Sequence, residues 1–151
     1  MDAFVVRHAK AGSRRRFDGD DRLRPLSRNG RPQADGIAEL LAHRDIARVL
    51  TSPFTRCVQT VEPLAARLEL TVEVDEQLGE GHDWKHALEL IERATEPIAL
   101  CSHGDVIGDL MHDLAARGVP LDDDRIEKGS TWVLQVEEGE IVKARYLPPP
   151  S

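Results

Sequence analysis

Aromatic residues are scarce: three Phe, two Trp and one Tyr in 151 residues. A core must therefore come from Leu, Val, Ile and Ala. Cysteine is scarcer still, and the two present, Cys57 and Cys101, are too few for a disulfide scaffold. No apolar run is long enough to span a bilayer, and the opening MDAFVV lacks the basic start of a signal peptide. A reducing cytoplasm is the expected location, with no membrane partner. There is no basic excess either. The net charge is -7, whereas general nucleic-acid binding leaves a basic face, so no nucleic-acid partner is expected. A chain of this length forms one domain with a core of its own. It is assigned to residues 1–147, followed by the proline-rich tail 148–151, which continues neither a strand nor a helix.

What is there alternates. Ala3 to Arg7 reads as a buried strand, and the polar stretch 8–26 as a long loop. Apolar positions Ala34, Ile37, Ala38, Leu40 and Leu41 then recur at helical spacing behind a Ser27 cap. Strands are expected at 48–51, 71–74 and 98–102, with helices at 54–68, 84–93 and 106–116. Strands 131–136 and 141–146 flank the hairpin signal Glu138-Gly139. Alternating strands and helices predict a three-layer α/β/α sandwich around a mostly parallel sheet of about six strands. In such sheets ligands bind beyond the carboxyl ends of the strands.

Those ends carry Arg7-His8-Ala9 after the first strand and Thr51-Ser52-Pro53 after the second, with Arg56 one helical turn on. Ser102-His103-Gly104 follows the fourth. Two histidines and two arginines thus converge on one sheet edge. Arginine offers a planar fork of donors matched to phosphate oxygens. A neutral imidazole is a nucleophile that divides a hard displacement into two easier ones, and cations around it stabilise transition-state charge with no metal or other cofactor required. Glu80, in the loop after the third strand, is a candidate general acid, and Asp83 is its rival.

Other groupings carry less. His82 and His86 have zinc spacing but no further ligands beyond Asp83, and Asp122-Asp123-Asp124 reads as a solvated loop. His43 and His112 read as surface residues on helices. Neither cysteine begins Cys-x5-Arg, since Ile107 and Pro63 stand at the arginine position, so a cysteine-dependent phosphatase is excluded. The loop 10–24 holds Lys10, Arg14, Arg22 and Arg24 among Asp18, Asp20 and Asp21. It reads either as a self-paired surface loop or as a second-phosphate or acidic-partner contact.

Arg7-His8-Ala9, the run from Thr51 to Thr60 and Ser102-His103-Gly104 resemble the three signatures of the histidine phosphatase superfamily. Asp20 to Ser27, with Gly30 and Gln33-Ala34, is similar to its small SixA-type phosphohistidine phosphatases. The resemblance implies a phosphoglycerate-mutase-like fold and a phosphatase. It implies His8 as nucleophile, Arg7, Arg56 and His103 as phosphate ligands, and Glu80 as proton donor. The implied substrate is a phosphohistidine on a protein; the alternatives are a phosphorylated small molecule such as a nucleoside di- or triphosphate, or a silent phosphate-binding module. One departure is Ala9, where the family has glycine.

Overall fold

The computed structural model describes residues 1–150, so Ser151 of the proline-rich tail lies outside the described residues. Six strands among them form one sheet in the order β3-β2-β4-β1-β5-β6. They are β1 (Asp2–Arg7), β2 (Arg48–Thr51), β3 (Val72–Val74), β4 (Ile98–Ser102), β5 (Thr131–Glu137) and β6 (Glu140–Leu147). β1, β2, β3 and β4 run parallel, whereas β5 is antiparallel to both β1 and β6. Four helices cover the faces: α1 (Gly30–Leu41), α2 (Thr55–Arg67), α3 (Lys85–Arg93) and α4 (Gly104–Ala116). The expected three-layer α/β architecture is what the chain forms.

Side-chain alternation along β1 divides the core between those layers. Ala3 and Val5 pack with residues of α3 and α4, including Ile91, Ile107 and Leu110. Phe4 and Val6 pack with α1 and α2, including Ile37, Leu41, Val61 and Leu64. The central strands are buried on both faces, and β4 is buried along its whole length. That is why their sequences read as unbroken apolar runs.

Four details depart from expectation. The α1 helix begins at Gly30 rather than Ser27. The Ser27 hydroxyl instead shapes the turn before it, accepting from Gly30 N–H at 3.2 Å and donating to the Lys10 carbonyl at 3.1 Å. Leu40 is 38% exposed, because it lies off the stripe formed by Ile37, Ala38 and Leu41. His43 is exposed but follows α1 rather than lying on a helix. The stretch 8–26 is also more ordered than a plain loop. Ala11 bridges Leu26, and residues Asp21–Leu23 form a 3-10 turn capped by the Asp20 carboxylate.

Candidate active site

The sheet topology places the ends of β1, β2 and β4 side by side, so Arg7, His8, Ser52 and His103 meet at one edge. His8 is only 5% exposed. Its Nδ1 lies 2.8 Å from the Ala9 carbonyl, which can only accept, so Nδ1 carries the proton. The lone pair of the neutral ring is therefore on Nε2. Burial pushes the His8 pKa down to about 3; the charges of His103, Arg56 and Arg7 act in the same direction, against the Ala9 hydrogen bond. His8 is thus neutral throughout the physiological range, as a nucleophile must be.

Ala9 replaces glycine without strain: it is fully buried, and it is not among the residues with positive φ. Its N–H donates to Thr60 Oγ1 at 2.9 Å, and that hydroxyl donates to the Arg56 carbonyl at 2.6 Å. The nucleophile loop and the arginine are in this way tied to the same turn of α2.

Around His8 stand three side chains with buried nitrogens left over. Arg7 donates from Nη1 to the Ile126 carbonyl, but its Nε has no partner. Gly104 makes room for this guanidinium, since a Cβ there would stand 2.8 Å from Arg7 Cζ. Arg56 is fully buried and donates from Nη1 to the Asp21 carbonyl at 3.0 Å. Its Nη2 has ion-pair contacts with Asp21 at 3.2 Å and Glu80 at 3.5 Å, yet neither Nε nor Nη2 has an aligned hydrogen-bond partner. His103 Nε2 meets Ser52 Oγ at 2.9 Å, and its buried Nδ1 has no partner. Ser52 Oγ also accepts from Phe54 N–H at 3.2 Å, which fixes the hydroxyl against the His103 ring. The rings of His8 and His103 meet edge to face at 5.4 Å. A buried donor without a partner costs about 1–3 kcal/mol, and such groups gather where function demands them.

The sequence profile of the histidine phosphatase superfamily (branch 1) matches residues 3–87, more than half of the chain. The chain belongs to that superfamily. It is 39% identical to the 8-oxo-(d)GTP phosphatase of Mycolicibacterium smegmatis over 98% of its own length and 48% of that protein's. It is 30% identical to the glucosyl-3-phosphoglycerate phosphatase of Mycolicibacterium vanbaalenii, over 85% of this chain and 61% of that one. The chain therefore spans between about half and three-fifths of these relatives' lengths. Among solved structures, the protein histidine phosphatase SixA complexed with tungstate superimposes with a TM-score of 0.74. The identity is 23%, over 97% of this chain and 94% of that one. That likeness extends to the fold.

Beyond His8 the histidine phosphatase edge opens into a cleft of about 490 Å³, lined by Arg7, His8, Arg14, Arg24, Glu80, Asp105 and Lys128 among others. Glu80 reaches it because Ser102 Oγ donates to the Leu78 carbonyl at 2.6 Å, pinning the preceding turn to β4. Asp83 does not line the cleft: its carboxylate accepts from Lys85 N–H at 2.6 Å, at the start of α3. Of the loop cations, Arg14 and Arg24 line the cleft, but Lys10 and Arg22 do not. Lys10 contributes backbone groups to Gln33 and Ser27. The Arg22 guanidinium pairs with Glu76 at 3.2 Å and lies over the Phe54 ring.

Lys128, Asp105 and Asp21 are not among the expected site residues. Asp105 accepts from Gly81 N–H and Val106 N–H, each at 2.8 Å. Asp21 gathers Arg24, Arg56 and Arg14 at 2.8, 3.2 and 3.5 Å. Burial raises the Asp21 pKa, but the Arg24 hydrogen bond and the three positive charges outweigh it and hold the carboxyl below its usual range. Only folding brings Arg56 to this residue, 35 positions away in sequence, where it meets both the carbonyl and the carboxylate.

Elsewhere, His86 Nε2 lies 2.7 Å from Asp75 Oδ2, and among the described residues no three His, Cys, Asp or Glu groups form a metal set. The aspartate triplet is less idle than expected, since Asp122 accepts from Tyr146 N–H and Asp123 holds Arg125. Both thiols are buried, and Cys57 Sγ lies 3.5 Å from His103 Nε2. Among the described residues no helix is long and apolar enough to cross a membrane.

The depressed His8 pKa has a consequence for stability. Between pH 6.5 and about 3 the unfolded chain binds a proton at His8 that the folded chain does not. Stability therefore falls as pH drops through that window and is unaffected by His8 above it. Denaturant titrations at pH 7 and pH 4.5 are expected to show a steeper acid loss for wild type than for His8→Ala, by up to about 1.4 kcal/mol per pH unit. Equal slopes would mean that His8 is not held neutral.

Proposed function

We propose that the chain is a phosphatase acting through a phosphohistidine formed at His8. The observation that carries this reading is the set of unpartnered buried nitrogens on Arg7, Arg56 and His103 around a neutral imidazole. His8 Nε2 attacks phosphorus and the bond to the leaving oxygen breaks. Arg7, Arg56 and His103 take the charge that spreads over the equatorial oxygens. Glu80 supplies a proton to the leaving oxygen. Water then attacks the phosphohistidine, a P–O bond replaces the P–N bond, and Glu80 takes the water's proton. The reaction suits a phosphomonoester, a phosphoramidate or the terminal phosphate of a nucleoside di- or triphosphate.

The reading of a protein phosphohistidine substrate rests on likeness to SixA, which concerns the fold. The cations Arg14, Arg24 and Lys128 along the cleft favour a small molecule with more than one anionic group. The relative that is an 8-oxo-(d)GTP phosphatase points to the same substrate class.

The intermediate has a chemical signature that tests the mechanism. Protein quenched during turnover of a labelled aryl phosphate should carry label that is stable to alkali and labile to acid. That label should be absent from His8→Ala; label that persists in the variant, or that alkali removes, would sink the mechanism. Glu80→Gln is expected to slow release from an alkyl phosphate by roughly 100- to 10,000-fold. The same substitution should cost much less with a phosphoramidate, whose leaving group departs more easily. Equal losses on both would assign the proton to another group.

A further inference from the structure

One cation in the cleft belongs neither to the sequence motifs nor to the set around the transferred phosphoryl group. Lys128 precedes β5 and lines the cleft beside Arg7, His8, Arg14 and Arg24. The turn that carries it is tightly tied to the nucleophile loop. Gly129 N–H points at the carbonyls of both Arg7 and His8, at 3.1 and 3.0 Å. The Lys128 carbonyl accepts from Gln33 Nε2 at 3.5 Å. Gly129 has a φ of +84°, and a Cβ there would stand 3.1 Å from the Gln33 amide, so glycine suits this passage.

The charge placed there is not neutralised by its neighbours. The two acids lining the cleft are engaged elsewhere, Glu80 with Arg14 and Arg56 and Asp105 with two backbone N–H groups. Partial desolvation against the cleft wall, followed by the charges of Arg7, Arg24, Arg56 and Arg14, pushes the Lys128 pKa down. In a chain of net charge -7, this local surplus of repelling cations calls for an anion. The first anion, the transferred phosphoryl group, already has Arg7, Arg56 and His103. At about 490 Å³ the cleft falls in the range of small-molecule sites, roughly 300–1,000 Å³, and one phosphoryl group would leave most of it unfilled.

We infer that Lys128 is a specificity-determining residue that binds the phosphate next to the one being transferred, so that the site prefers phosphoanhydrides such as nucleoside diphosphates over simple monoesters. The inference rests on the phosphatase reading above. As the His8 Nε2–P bond forms, the bond from that phosphorus to the bridging oxygen breaks, and the oxygen leaves with the electron pair. A phosphate leaves readily as an anion without the proton that Glu80 gives an alkoxide, so it gains one negative charge beside the Lys128 ammonium and the contact strengthens as the bond breaks.

The test compares wild type, Lys128→Met and Lys128→Arg by calorimetric binding of pyrophosphate and orthophosphate, and by kcat/KM for ADP and an aryl phosphate. Wild type should bind pyrophosphate at least about tenfold tighter than orthophosphate. That ratio should collapse in Lys128→Met and persist in Lys128→Arg. The kcat/KM for ADP should fall about 10- to 100-fold in Lys128→Met, and far more than that for the aryl phosphate. Because Lys128 is exposed, all three proteins should melt alike. Pyrophosphate bound no tighter than orthophosphate by wild type, or a ratio unchanged in Lys128→Met, would overturn the inference. So would a phosphorylated hydroxy acid turned over faster than ADP with the same Lys128 dependence, since the second anion would then be a carboxylate. Failure of the phosphatase reading looks different: wild type would bind both anions but cleave neither ADP nor the aryl phosphate, and the pyrophosphate-to-orthophosphate ratio would still decide the role of Lys128.

Discussion

Replacing His8 with alanine is expected to reduce phosphate release from an aryl phosphate, measured in excess EDTA, by at least about a thousandfold. The size of the effect follows from the role proposed. A nucleophile makes the bond on which both halves of the reaction depend, and loss of such a residue costs on the order of 10⁴ to 10⁶ in kcat. His8 is suited to that role by its surroundings. Its Nδ1–H is committed to the Ala9 carbonyl, and burial keeps the ring neutral. Arg7, Arg56 and His103 would remain in the variant, so phosphate should still bind, and a ligand-induced rise in melting temperature would report it. Activity that survives in His8→Ala would overturn the mechanism. Wild-type activity that chelation abolishes would mean that a metal does the work assigned here to the arginines.

The parts of this site that were legible in the sequence are those held by short-range order. Arg7, His8, Ser52 and His103 sit at or just after strand ends, so recognising the apolar runs 3–7, 48–51 and 98–102 was enough to bring them together. Arg56 follows from its place one turn into α2. The outer half of the cleft was not legible in this way. Lys128 belongs to a turn before an antiparallel strand, and only the pairing of β5 with β1 brings the start of β5 beside the end of β1. Asp21 lies in a stretch with no periodicity, and its importance comes from three arginines that are distant or exposed until the chain folds. The sorting of Lys10, Arg14, Arg22 and Arg24 depended on the 3-10 turn at Asp21–Leu23, which directs Arg24 into the protein, where its Nε meets Asp21 and its Nη1 meets the Gly12 carbonyl. Arg22, two residues earlier, is left to Glu76 on the outside. Charge composition alone cannot make that distinction.

Arg56→Met is expected to lower kcat/KM by about 10²- to 10³-fold while changing stability little. The two expectations together separate a functional arginine from a structural one. In the structural reading Arg56 serves as the partner of Asp21, and its loss would leave a charge exposed to poor solvation and destabilise the fold by about 3–5 kcal/mol. Asp21, however, keeps Arg24 at 2.8 Å and Arg14 at 3.5 Å without Arg56. The substitution also removes a buried cation whose Nε and Nη2 have no aligned partner. Methionine retains an unbranched stem of similar length beneath the Phe54 ring, over which the guanidinium sits at 4.9 Å. Stability should therefore stay within about 1 kcal/mol of wild type or rise, the trade expected where a group is held for function at a cost to the fold. The activity loss corresponds to about 2.7–4 kcal/mol of transition-state stabilisation, the magnitude associated with removing one preorganised donor from a developing anion. Arg56→Lys should recover only part of it, because an ammonium keeps the charge but not the planar fork. Thermal melts alongside kcat/KM decide the matter: a large drop in melting temperature with less than about fivefold loss of kcat/KM would make Arg56 a structural residue.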